Sequence, residues 1–372
     1  HLPFKEGVDG SSPSGLTIYM RNIVKFYQNK RILITGVTGF KGSWLCSWLL
    51  RLNSKIKGIG FNSKKKHKLF DSLKLSNKIQ ISYFDIRDKK KLESTIKKFR
   101  PSIIFHLAAQ PIVSETFKKP YETVDVNIRG TLNILDISTR YKFIKSLINI
   151  TSAHCYENKN KIKSLKENDK LGGDDPYSAS KACSELIIKA YKKNFYSKKG
   201  ISSVRASNII GGGDWSKNRL IPDCINYLRK NKKIKLRNPN HMRQWQFILE
   251  PLRGYLILAN KQYSDPVKFS SDWNFGPRAQ DCKNVKEVVN QIIKIYGKGS
   301  TKKIKSKFIE NRYLKLNSEK ARKKLNWTPI YNVDQSLEKT IEWYNKVINN
   351  KADPLQITNN QITDYMKACK WL

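Results

Sequence analysis

The sequence contains no apolar run long enough to cross a membrane. Its densest apolar stretch, residues 44–50, has seven residues, whereas a spanning helix needs about 20. Hydrophobic residues still make up 39% and aromatic residues 11% of the 372 positions, which indicates a globular chain and excludes a disordered one. At about 100–200 residues per domain, this length allows two lobes or one domain with an insertion.

The sequence also lacks closely spaced cysteines. None of the six forms a Cys-x-x-Cys pair, and the smallest gap, from Cys155 to Cys183, is 28 residues. This spacing argues against a zinc ribbon and against a disulfide framework, so no metal site is expected. We therefore expect reduced thiols and a cytoplasmic protein.

Acidic residues are scarce as well. There are 30 Asp and Glu against 72 Lys and Arg, and the formal net charge is +42. Such a charge would suit a non-catalytic protein that binds a polyanion such as nucleic acid. However, only 16 of the basic residues are Arg, and the 56 Lys are scattered, whereas a nucleic-acid groove concentrates Arg with aromatic residues. We interpret the lysines as a solvated surface; the polyanion alternative requires lysines concentrated on one face.

Short β-rich runs alternate with helical patterns from Arg31 onward. The predicted strands cover residues 31–35, 56–61, 79–84, 103–106 and 147–150, and the predicted helices cover 40–52, 89–99, 121–140 and 336–348. Strands separated by helices of this length indicate βαβ units in a parallel sheet. We therefore predict an α/β fold, a Rossmann-like doubly wound parallel sheet with a smaller C-terminal substrate-binding lobe.

The alternation of predicted strands and helices ends after Ala206, which suggests where the chain divides into domains. Residues 1–19 lack the apolar core of a signal peptide and are rich in Gly and Ser, so we expect a flexible extension outside the fold. We assign residues 20–206 to the Rossmann-like domain, with a segment near 247–276 returning to it, and residues 207–246 and 277–372 to the smaller lobe.

The first predicted strand is followed by a glycine-rich turn, Gly36-Val-Thr-Gly39-Phe-Lys-Gly42, that opens a predicted helix. Glycine permits a tight turn and lets the backbone approach a diphosphate, which then lies at the helix N-terminus. The position after the first strand of a βαβ series favours a dinucleotide site over an ordinary glycine turn. We predict that this turn, including Phe40 and Lys41, binds a dinucleotide.

The end of the second strand bears on which dinucleotide binds. An NAD site usually has Asp or Glu here to bind the ribose hydroxyls, whereas this chain has Asn62, followed by Ser63 and Lys64. Asn can bind a ribose, while Ser and Lys would also suit the 2′-phosphate of NADP, so the residues alone leave NAD and NADP open. Asp85, at the end of the third strand, could accept the adenine amino group or could cap the next helix.

A second motif, Tyr177-Ser-Ala-Ser-Lys181, places a phenol and an ammonium on one helical face. Asp175 and Pro176 are typical of a helix start, so Tyr177 lies in the first turn. The nearby cation and the positive helix end favour a phenolate, which could take a proton from a sugar hydroxyl as hydride leaves the same carbon. Ser152 could hydrogen-bond the reacting hydroxyl or could serve only as a strand-end cap.

The spacing of this motif is not specific by itself. With 17 Tyr and 56 Lys in 372 residues, chance predicts roughly 2.6 such pairs, and the chain has two, Tyr141/Lys145 and Tyr177/Lys181. Tyr141 precedes the fifth strand, whereas Tyr177 follows Ser152, at the carboxyl edge where ligands of open α/β sheets bind. The context therefore selects Tyr177 and Lys181.

These residues resemble those of the extended short-chain dehydrogenases/reductases, and several strings resemble the CDP-glucose 4,6-dehydratase branch. The matching strings are GVTGFKGSWL (36–45), FHLAAQP (105–111), GGDDPYSASK (172–181), NIIGGGDW with RLIPD (208–223), RNP (237–239), LEPL (249–252), WNFGP (273–277) and YLKLN (313–317). The resemblance runs from about Met20 to Met366, and the GGGDW and RLIPD strings are more specific than either short motif.

The resemblance implies a tightly held NAD and a CDP-hexose substrate. It implies that Gly36, Gly39 and Gly42 bind the NAD diphosphate and that Tyr177 and Lys181 oxidise C4 of the sugar. For the rest of the cofactor it implies Asp85 and Ile86 at the adenine, Ala108 and Ala109 along the cofactor, and Asn127 beside it. For the sugar nucleotide it implies Asn208 and Arg243, together with Arg219, whose alternative is a surface salt bridge.

The resemblance also implies a homodimer and no membrane partner. The helices near 121–140 and 176–195 would pair across a two-fold axis through exposed apolar faces. Ile187 and Ile188 are the candidate contacts, and the alternative is that both pack on the sheet of their own subunit.

One site departs from the family. After Thr-Ser the family has Asp-Lys, the acid and base that remove the C6 hydroxyl, whereas this chain has Ala153 and His154. An imidazole can serve as the base at C5, but Ala153 cannot donate a proton, and loss of a general acid costs about 10² to 10⁴ in rate. Two activities remain open: 4,6-dehydration, and oxidation–reduction at C4 without elimination, as in related nucleotide-sugar 4-epimerases.

Overall fold

The computed structural model describes residues 22–62, 68–158, 163–196, 198–305 and 312–372. The expected extension 1–19, Ser63 and Lys64 lie outside the described residues. None of the helices in these ranges combines the length and the apolar character that crossing a bilayer would need.

The elements are numbered here in chain order. The strands are β1 (Arg31–Thr35), β2 (Lys55–Gly60), β3 (Gln80–Tyr83), β4 (Ile103–His106), β5 (Ser146–Ile150), β6 (Gly200–Ala206), β7 (Asn208–Ile210), β8 (Ile234–Leu236), β9 (Met242–Phe247), β10 (Asp272–Phe275), β11 (Cys282–Asn284), β12 (Thr301–Lys303) and β13 (Tyr313–Leu314). The helices are α1 (Phe40–Arg51), α2 (Lys68–Ser72), α3 (Lys89–Phe99), α4 (Val113–Thr116), α5 (Pro120–Arg140), α6 (Pro176–Phe195), α7 (Leu220–Arg229), α8 (Leu249–Ser264), α9 (Pro266–Phe269), α10 (Val285–Tyr296), α11 (Glu319–Leu325), α12 (Val333–Ile348) and α13 (Pro354–Ala368). A further helical segment covers residues 22–27.

A seven-stranded parallel sheet forms the centre of the fold, in the order β10-β6-β5-β4-β1-β2-β3. Strands such as β4 and β5 are buried at every position, as expected of a parallel sheet covered on both faces. The chain runs outward from β1 to β3 and then returns to place β4 on the other side of β1. This reversal opens a crevice at the carboxyl ends of β1 and β4, where open α/β sheets bind ligands.

The predicted fold class is confirmed, and each predicted strand agrees with an observed strand to within one residue at either end. The helix predicted over 336–348 begins three residues earlier, at Val333. A capping box explains the earlier start, because the side chain of Asn332 accepts from the Gln335 amide and the Gln335 side chain accepts from the Asn332 amide.

Later parts of the chain form smaller sheets and also complete the large one. β9 pairs with β7, β11 and β13, while β12 pairs with β8. β10 pairs with β6, and α8 packs on β5 and β6. Because β7 follows β6 after a single residue, the smaller sheet begins at the carboxyl end of the large sheet. The boundaries given above for the two lobes stay a prediction.

Helices α5 and α6 pack against each other over much of their length. Ile188, on α6, is 1% exposed and belongs to the core of its own chain, and Ile187 packs partly against the same core. The assignment of Ile188 as a contact of a second subunit is therefore wrong, because its side chain is buried in its own chain. The assignment of Ile187, which is half-buried, stays a prediction. The exposed apolar side chains of these helices include Leu132 and Leu186, which are 39% and 56% exposed.

Candidate active site

The glycine-rich turn lies at the carboxyl end of β1, against the loop that follows β4. Gly36 has φ of +69°, and a Cβ atom there would lie 2.8 Å from the backbone nitrogen of Ala108. At Gly42, a Cβ atom would overlap the carbonyl oxygen of Gly36. Glycine therefore fits both positions without strain, whereas a residue with a side chain fits neither.

Helix α1 begins directly after this turn with uncapped amide groups. Gly39 is the N-cap residue, no side chain caps the helix, and its first turn holds no acidic residue. Such amide groups carry a partial positive charge and suit a diphosphate. Phe40 reaches across to the smaller sheet, since a Cβ atom on Gly211 would lie 3.2 Å from its ring.

Three cations converge beside this helix start. Burial, followed by the positive charges of Lys181 and Arg219, lowers the pKa of Lys41 to about 7. Among the ion pairs of the described residues, Lys41 has no carboxylate partner, whereas Arg219 pairs with Asp214 at 3.0 Å between Nη1 and Oδ2. An excess of positive charge in a half-buried site favours an anionic ligand.

Tyr177 and Lys181 lie on α6, whose N-terminus points at the carboxyl edge of β5. Asp175 caps the helix by accepting from the amides of Tyr177 and Ser178 at 2.9 and 3.0 Å. The ammonium of Lys181 lies 3.4 Å from the carbonyl oxygen of Ile150, the last residue of β5. Ser152 follows two residues later, and its hydroxyl lies close enough to the phenol of Tyr177 to act on the pKa of Tyr177. Ser152, Tyr177 and Lys181 therefore form one cluster, as their placement in the sequence predicts.

The protonation states in this cluster are set mainly by burial. Burial raises the pKa of Tyr177, while the hydrogen bond from Ser152 and the charge of Arg219 act in the opposite direction. For the protein's own residues, desolvation outweighs the groups that favour the phenolate, so the net shift is upward. The phenolate expected from the sequence also depends on the positive charge of the cofactor, so it stays a prediction. Burial also lowers the pKa of Lys181 to about 8, although the negative charge of Glu185 opposes this shift.

The residues that replace the family's acid and base lie in a short 3₁₀ turn, Ala153–Cys155. The His154 ring contacts the Tyr177 ring edge-on, with 6.0 Å between centroids, and its amide donates to the Ser152 hydroxyl at 3.2 Å. Ala153 is 2% exposed and belongs to an apolar cluster that includes Leu314. His154 therefore reaches the catalytic cluster, and Ala153 adds no polar group to it.

Asn127 connects three elements around the crevice. Its carbonyl oxygen accepts from the Gln110 amide at 2.8 Å, and its amide nitrogen donates to the Ser180 hydroxyl at 2.9 Å. The same nitrogen lies 3.3 Å from the Gln110 carbonyl oxygen. Asn127 thus holds the loop after β4, which carries Ala108 and Ala109, against α6.

At the far end of the crevice, Asp85 is held by Arg87. The guanidinium donates to both carboxylate oxygens, at 3.0 and 2.6 Å, and also to Asp125 at 2.8 Å. Burial raises the pKa of Asp85, but the bonds from Arg87 outweigh burial and the net shift is downward. The alternative reading of Asp85 as a helix cap is wrong, because Asp88 caps α3 by accepting from the Lys91 amide.

Two other predicted cofactor residues flank this carboxylate. Ile86 is buried, and its γ-methyl group would lie 2.8 Å from a Cβ atom on Gly130 of α5. Asn62 lies just after β2 and is exposed. Both therefore lie at the ends of neighbouring strands of the large sheet, as the sequence predicts.

The candidate substrate residues lie on the other side of the crevice. Asn208 begins β7 and is half-buried, and Arg219 is the N-cap residue of α7. Arg243, on β9, donates to the carbonyl oxygens of Met242 and Arg312 at 2.9 and 3.2 Å. The salt-bridge alternative holds in part for Arg219, which pairs with Asp214 while its charge also acts on Tyr177.

The sequence analysis missed His106, the last residue of β4. Its Nδ1 lies 2.8 Å from the hydroxyl oxygen of Thr35, which also accepts from the Ala108 amide at 3.1 Å. Burial, followed by the charge of Lys181, lowers the pKa of His106 to about 3, so the ring is neutral. The sequence did contain a signal for the Thr35–His106 pair. Each of the two adjacent buried strands, β1 and β4, ends in a polar residue.

A buried ion pair, Glu185 with Arg205, also escaped the sequence analysis. The two side chains are 1% exposed and 2.7 Å apart between Nη2 and Oε2. Elsewhere in the described ranges, no group of three or more His, Cys, Asp and Glu residues is arranged to hold a metal ion. The crevice itself brings together groups that can transfer a proton, Tyr177, His154 and Lys181, and positive charges that can bind an anion.

Comparison with known proteins gives the family context. The model of the GDP-mannose 4,6-dehydratase family matches residues 33–340. The CDP-glucose 4,6-dehydratase of Salmonella typhimurium is 39% identical over 352 residues, which cover 92% of this chain and 98% of that protein.

Solved structures with the same fold include both dehydratases and epimerases. The dTDP-glucose 4,6-dehydratase of Bacillus anthracis, solved with NAD, is 25% identical, has a TM-score of 0.74 and covers 86% of this chain and 98% of that one. The UDP-glucose 4-epimerase of Thermotoga maritima, solved with UDP-glucose, is 20% identical, has a TM-score of 0.75 and covers 85% and 99% of the two chains. The fold therefore does not decide between elimination and epimerisation.

Proposed function

Because the chain belongs to the GDP-mannose 4,6-dehydratase family of extended short-chain dehydrogenases/reductases, we propose that it is an NAD-dependent nucleotide-sugar 4,6-dehydratase acting on CDP-glucose. The product would be a CDP-4-keto-6-deoxy sugar for deoxysugar biosynthesis. The observation that carries the proposal is the cluster of Ser152, Tyr177 and Lys181 beside the glycine-rich turn. Because the chain belongs to an enzyme family, a non-catalytic polyanion-binding role is not needed to explain its function.

The residues around the crevice fit NAD. Gly36 and Gly42 let the backbone approach a diphosphate, the uncapped start of α1 faces it, and Lys41 adds a positive charge. The other proposed cofactor contacts are Gly39, Phe40, Asn62, Asp85, Ile86, Ala108, Ala109, Asn127, Tyr177 and Lys181. When bound, NAD would take a hydride from C4 of the sugar and later return it at C6. The NAD bound to the Bacillus anthracis enzyme favours NAD over NADP for this chain.

In the first step, Tyr177 would accept the proton of the C4 hydroxyl as the C4 hydride leaves, which yields a 4-keto sugar. Ser152 would hydrogen-bond the reacting oxygen, since its hydroxyl lies beside the Tyr177 phenol and acts on its pKa. Lys181 would favour the phenolate form of Tyr177 that accepts this proton, because both side chains face the same side of α6.

In the second step, His154 would remove the C5 proton, which the 4-keto group makes acidic, and the C6 hydroxyl would leave as hydroxide that takes a proton from solvent to form water. The hydride would then be returned to C6, and the protonated His154 would return a proton to C5, which gives the 4-keto-6-deoxy sugar. The edge-on contact of His154 with Tyr177 supports this role, because it brings the imidazole to the sugar carbon next to C4. No side chain at position 153 supplies the proton for the leaving hydroxyl, so we expect slow elimination.

The apolar surroundings of Ala153 favour one alternative function. Without an acid for the leaving group, the same cluster would oxidise C4 and reduce it again, as a CDP-hexose 4-epimerase does. This alternative uses Ser152, Tyr177 and Lys181 in the same roles and gives a product of unchanged mass.

The charges on the smaller sheet support a nucleotide-sugar substrate. Arg219 and Arg243 would bind the substrate diphosphate, and Asn208 would bind the sugar, because all three follow the carboxyl edge of the large sheet. The CDP moiety is proposed from the Salmonella typhimurium relative, whose name specifies CDP-glucose.

We include a homodimer and a cytoplasmic location in this proposal. Exposed Leu132 and Leu186 on the packed helices α5 and α6 offer an apolar surface for a second copy of the chain. All six cysteines are free thiols, which a reducing compartment allows.

The test is incubation of the purified protein with CDP-glucose and NAD, followed by mass spectrometry of the sugar nucleotide. Loss of one water supports 4,6-dehydration, and an unchanged mass with a C4-inverted sugar supports the epimerase. If the cofactor is not reduced and neither product forms, both assignments fail.

A further inference from the structure

We propose that Glu185 is a positioning residue for this reaction. Its buried carboxylate fixes the strand end that carries Ser152 against the helix that carries Tyr177 and Lys181, and its negative charge holds Lys181 as an ammonium ion. The inference rests on the proposed function in one respect, which is the role of Lys181 in oxidation at C4.

The carboxylate of Glu185 accepts hydrogen bonds from three residues, one that follows β5 and two on β6. The Thr151 hydroxyl donates to Oε1 at 2.5 Å, and the Ser203 hydroxyl donates to Oε2 at 2.6 Å. Arg205 donates from Nε to Oε1 at 2.8 Å and from Nη2 to Oε2 at 2.7 Å. These bonds join α6 to β6 and to the residue that precedes Ser152. A displacement of Glu185 would therefore move Ser152 relative to Tyr177.

Arg205 extends the network to the turn that carries His154. Its Nη1 donates to the Tyr156 hydroxyl at 2.6 Å, and Tyr156 donates to Asn274 Oδ1, on β10, at 2.8 Å. Apolar residues of similar volume stabilise a core about as well as a buried ion pair does. Stability alone therefore does not account for this pair, whereas a need for fixed geometry around Ser152 and His154 does.

The charge of Glu185 also acts directly on Lys181, which lies one helical turn earlier on the same face. The other titratable groups facing Lys181 are Lys41 from the start of α1, His106 from the end of β4, and Cys155 from the 3₁₀ turn. Lys41 is cationic or neutral, His106 is neutral, and burial raises the pKa of the Cys155 thiol, which keeps it neutral. Among these groups, Glu185 is the carboxylate, and it opposes the lowering of the Lys181 pKa.

The test is Glu185→Gln, which keeps the shape and removes the charge. The rate of cofactor reduction after addition of CDP-glucose is measured against pH. In the unmodified protein this rate should fall above about pH 8, where Lys181 loses its proton. In Glu185→Gln the fall should begin about one pH unit lower or more, and the rate at pH 6.5 should recover to within about threefold of the unmodified protein.

A second readout needs no substrate. The pH dependence of acetylation at Lys181, measured by peptide mass spectrometry on the protein as purified, should shift downward by the same amount. The matched control is Glu250→Gln, since Glu250 is also fully buried and accepts from the Tyr331 amide at 2.7 Å and from the Tyr365 hydroxyl at 2.6 Å. The control should lose thermal stability without any shift in either pH profile.

Some outcomes would overturn the inference. A folded Glu185→Gln variant with unshifted pH profiles, or one with the same fractional loss of rate at every pH, would contradict it. If that variant does not fold, Glu185→Gln combined with Arg205→Gln leaves no unpaired guanidinium and should show the same shift. Failure of the unmodified protein to reduce the cofactor would count against the proposed function, while the acetylation profiles would still test Glu185.

Discussion

The imidazole of His154 meets the phenol of Tyr177 edge-on, with 6.0 Å between the ring centroids and 68° between the ring planes. The two rings belong to the base proposed for C5 and the base proposed for C4. Ala153, the neighbour of His154 in the chain, instead packs among apolar side chains. Of the two groups that the proposed elimination needs, the base therefore lies beside Tyr177, whereas position 153 offers no acid.

Tyr177→Phe should reduce oxidation at C4 by a factor of about 10² to 10⁴, because the ring stays and the proton acceptor is lost. The measurement is the rate of cofactor reduction with CDP-glucose, and nucleotide binding should survive. Tyr141→Phe is the control, since the Tyr141 hydroxyl donates to Glu93 at 2.8 Å, away from the crevice. Equal turnover in Tyr177→Phe would refute its assignment.

Ala153→Asp should raise the rate of water loss, because it returns a carboxylic acid to the turn beside His154. The apolar surroundings of position 153 would raise the pKa of the new carboxyl, which suits a proton donor. The rate is followed by mass spectrometry of the product. The control is Ala153→Asn, because Asn has the same size as Asp but no acidic proton. This variant should not raise the rate of water loss.

For the unmodified chain we expect measurable oxidation at C4, slow exchange of solvent deuterium into C5, and weak or absent dehydration. The exchange depends on His154 and not on residue 153, so His154→Ala should abolish it while C4 oxidation continues. Rapid dehydration by the unmodified chain would mean that water or another side chain replaces the acid, and the epimerase alternative would then be wrong.

Lys41→Gln should weaken NAD binding roughly tenfold at pH 6, where Lys41 is charged, and much less at pH 8. The reason is that burial and two neighbouring cations lower the pKa of Lys41 to about 7, so its charge is lost as the pH rises. Isothermal calorimetry in buffers of different ionisation enthalpy should detect proton uptake on binding at pH 8 in the unmodified protein only. Lys193→Gln, on the exposed side of α6, is the control. An identical loss of affinity at both pH values would contradict this role.

Gly36→Ala should destabilise the fold by about 1–3 kcal/mol and prevent NAD binding, because its φ is +69° and its Cβ atom would meet Ala108. Gly297→Ala is the matched control. Gly297 also has a positive φ, +88°, but a Cβ atom there would have nothing within 4 Å. Thermal melts and NAD titrations should show a moderate loss of stability with normal binding in the control. Normal NAD binding by Gly36→Ala would show that the turn does not hold the cofactor.

Leu186→Glu should convert a dimer to a monomer, because it places a charge on the exposed apolar surface of α6. Light scattering after gel filtration at micromolar concentration measures the mass. Val267→Glu is the control, since Val267 is 79% exposed on α9 and lies outside the two paired helices. A monomeric mass for the unmodified protein would rule out the dimer.

Local sequence determined the α/β class and the position of the catalytic cluster. A parallel sheet buried on both faces needs short runs of β-branched residues such as Ile103–His106, and these are readable without any tertiary information. The start of α6 is equally local, because Asp175 caps the helix and a spacing of four residues places Tyr177 and Lys181 on one face.

Only the tertiary structure decided the partners and the burial of these groups. Glu185 and Arg205 are 20 residues apart in the chain, and Arg87 binds Asp125 across 38 residues. The pKa of Tyr177 is raised and Ile188 faces its own core because each is desolvated by elements that are distant in sequence. Periodicity describes neighbours within about one helical turn, whereas desolvation and ion pairing depend on every element packed around a side chain.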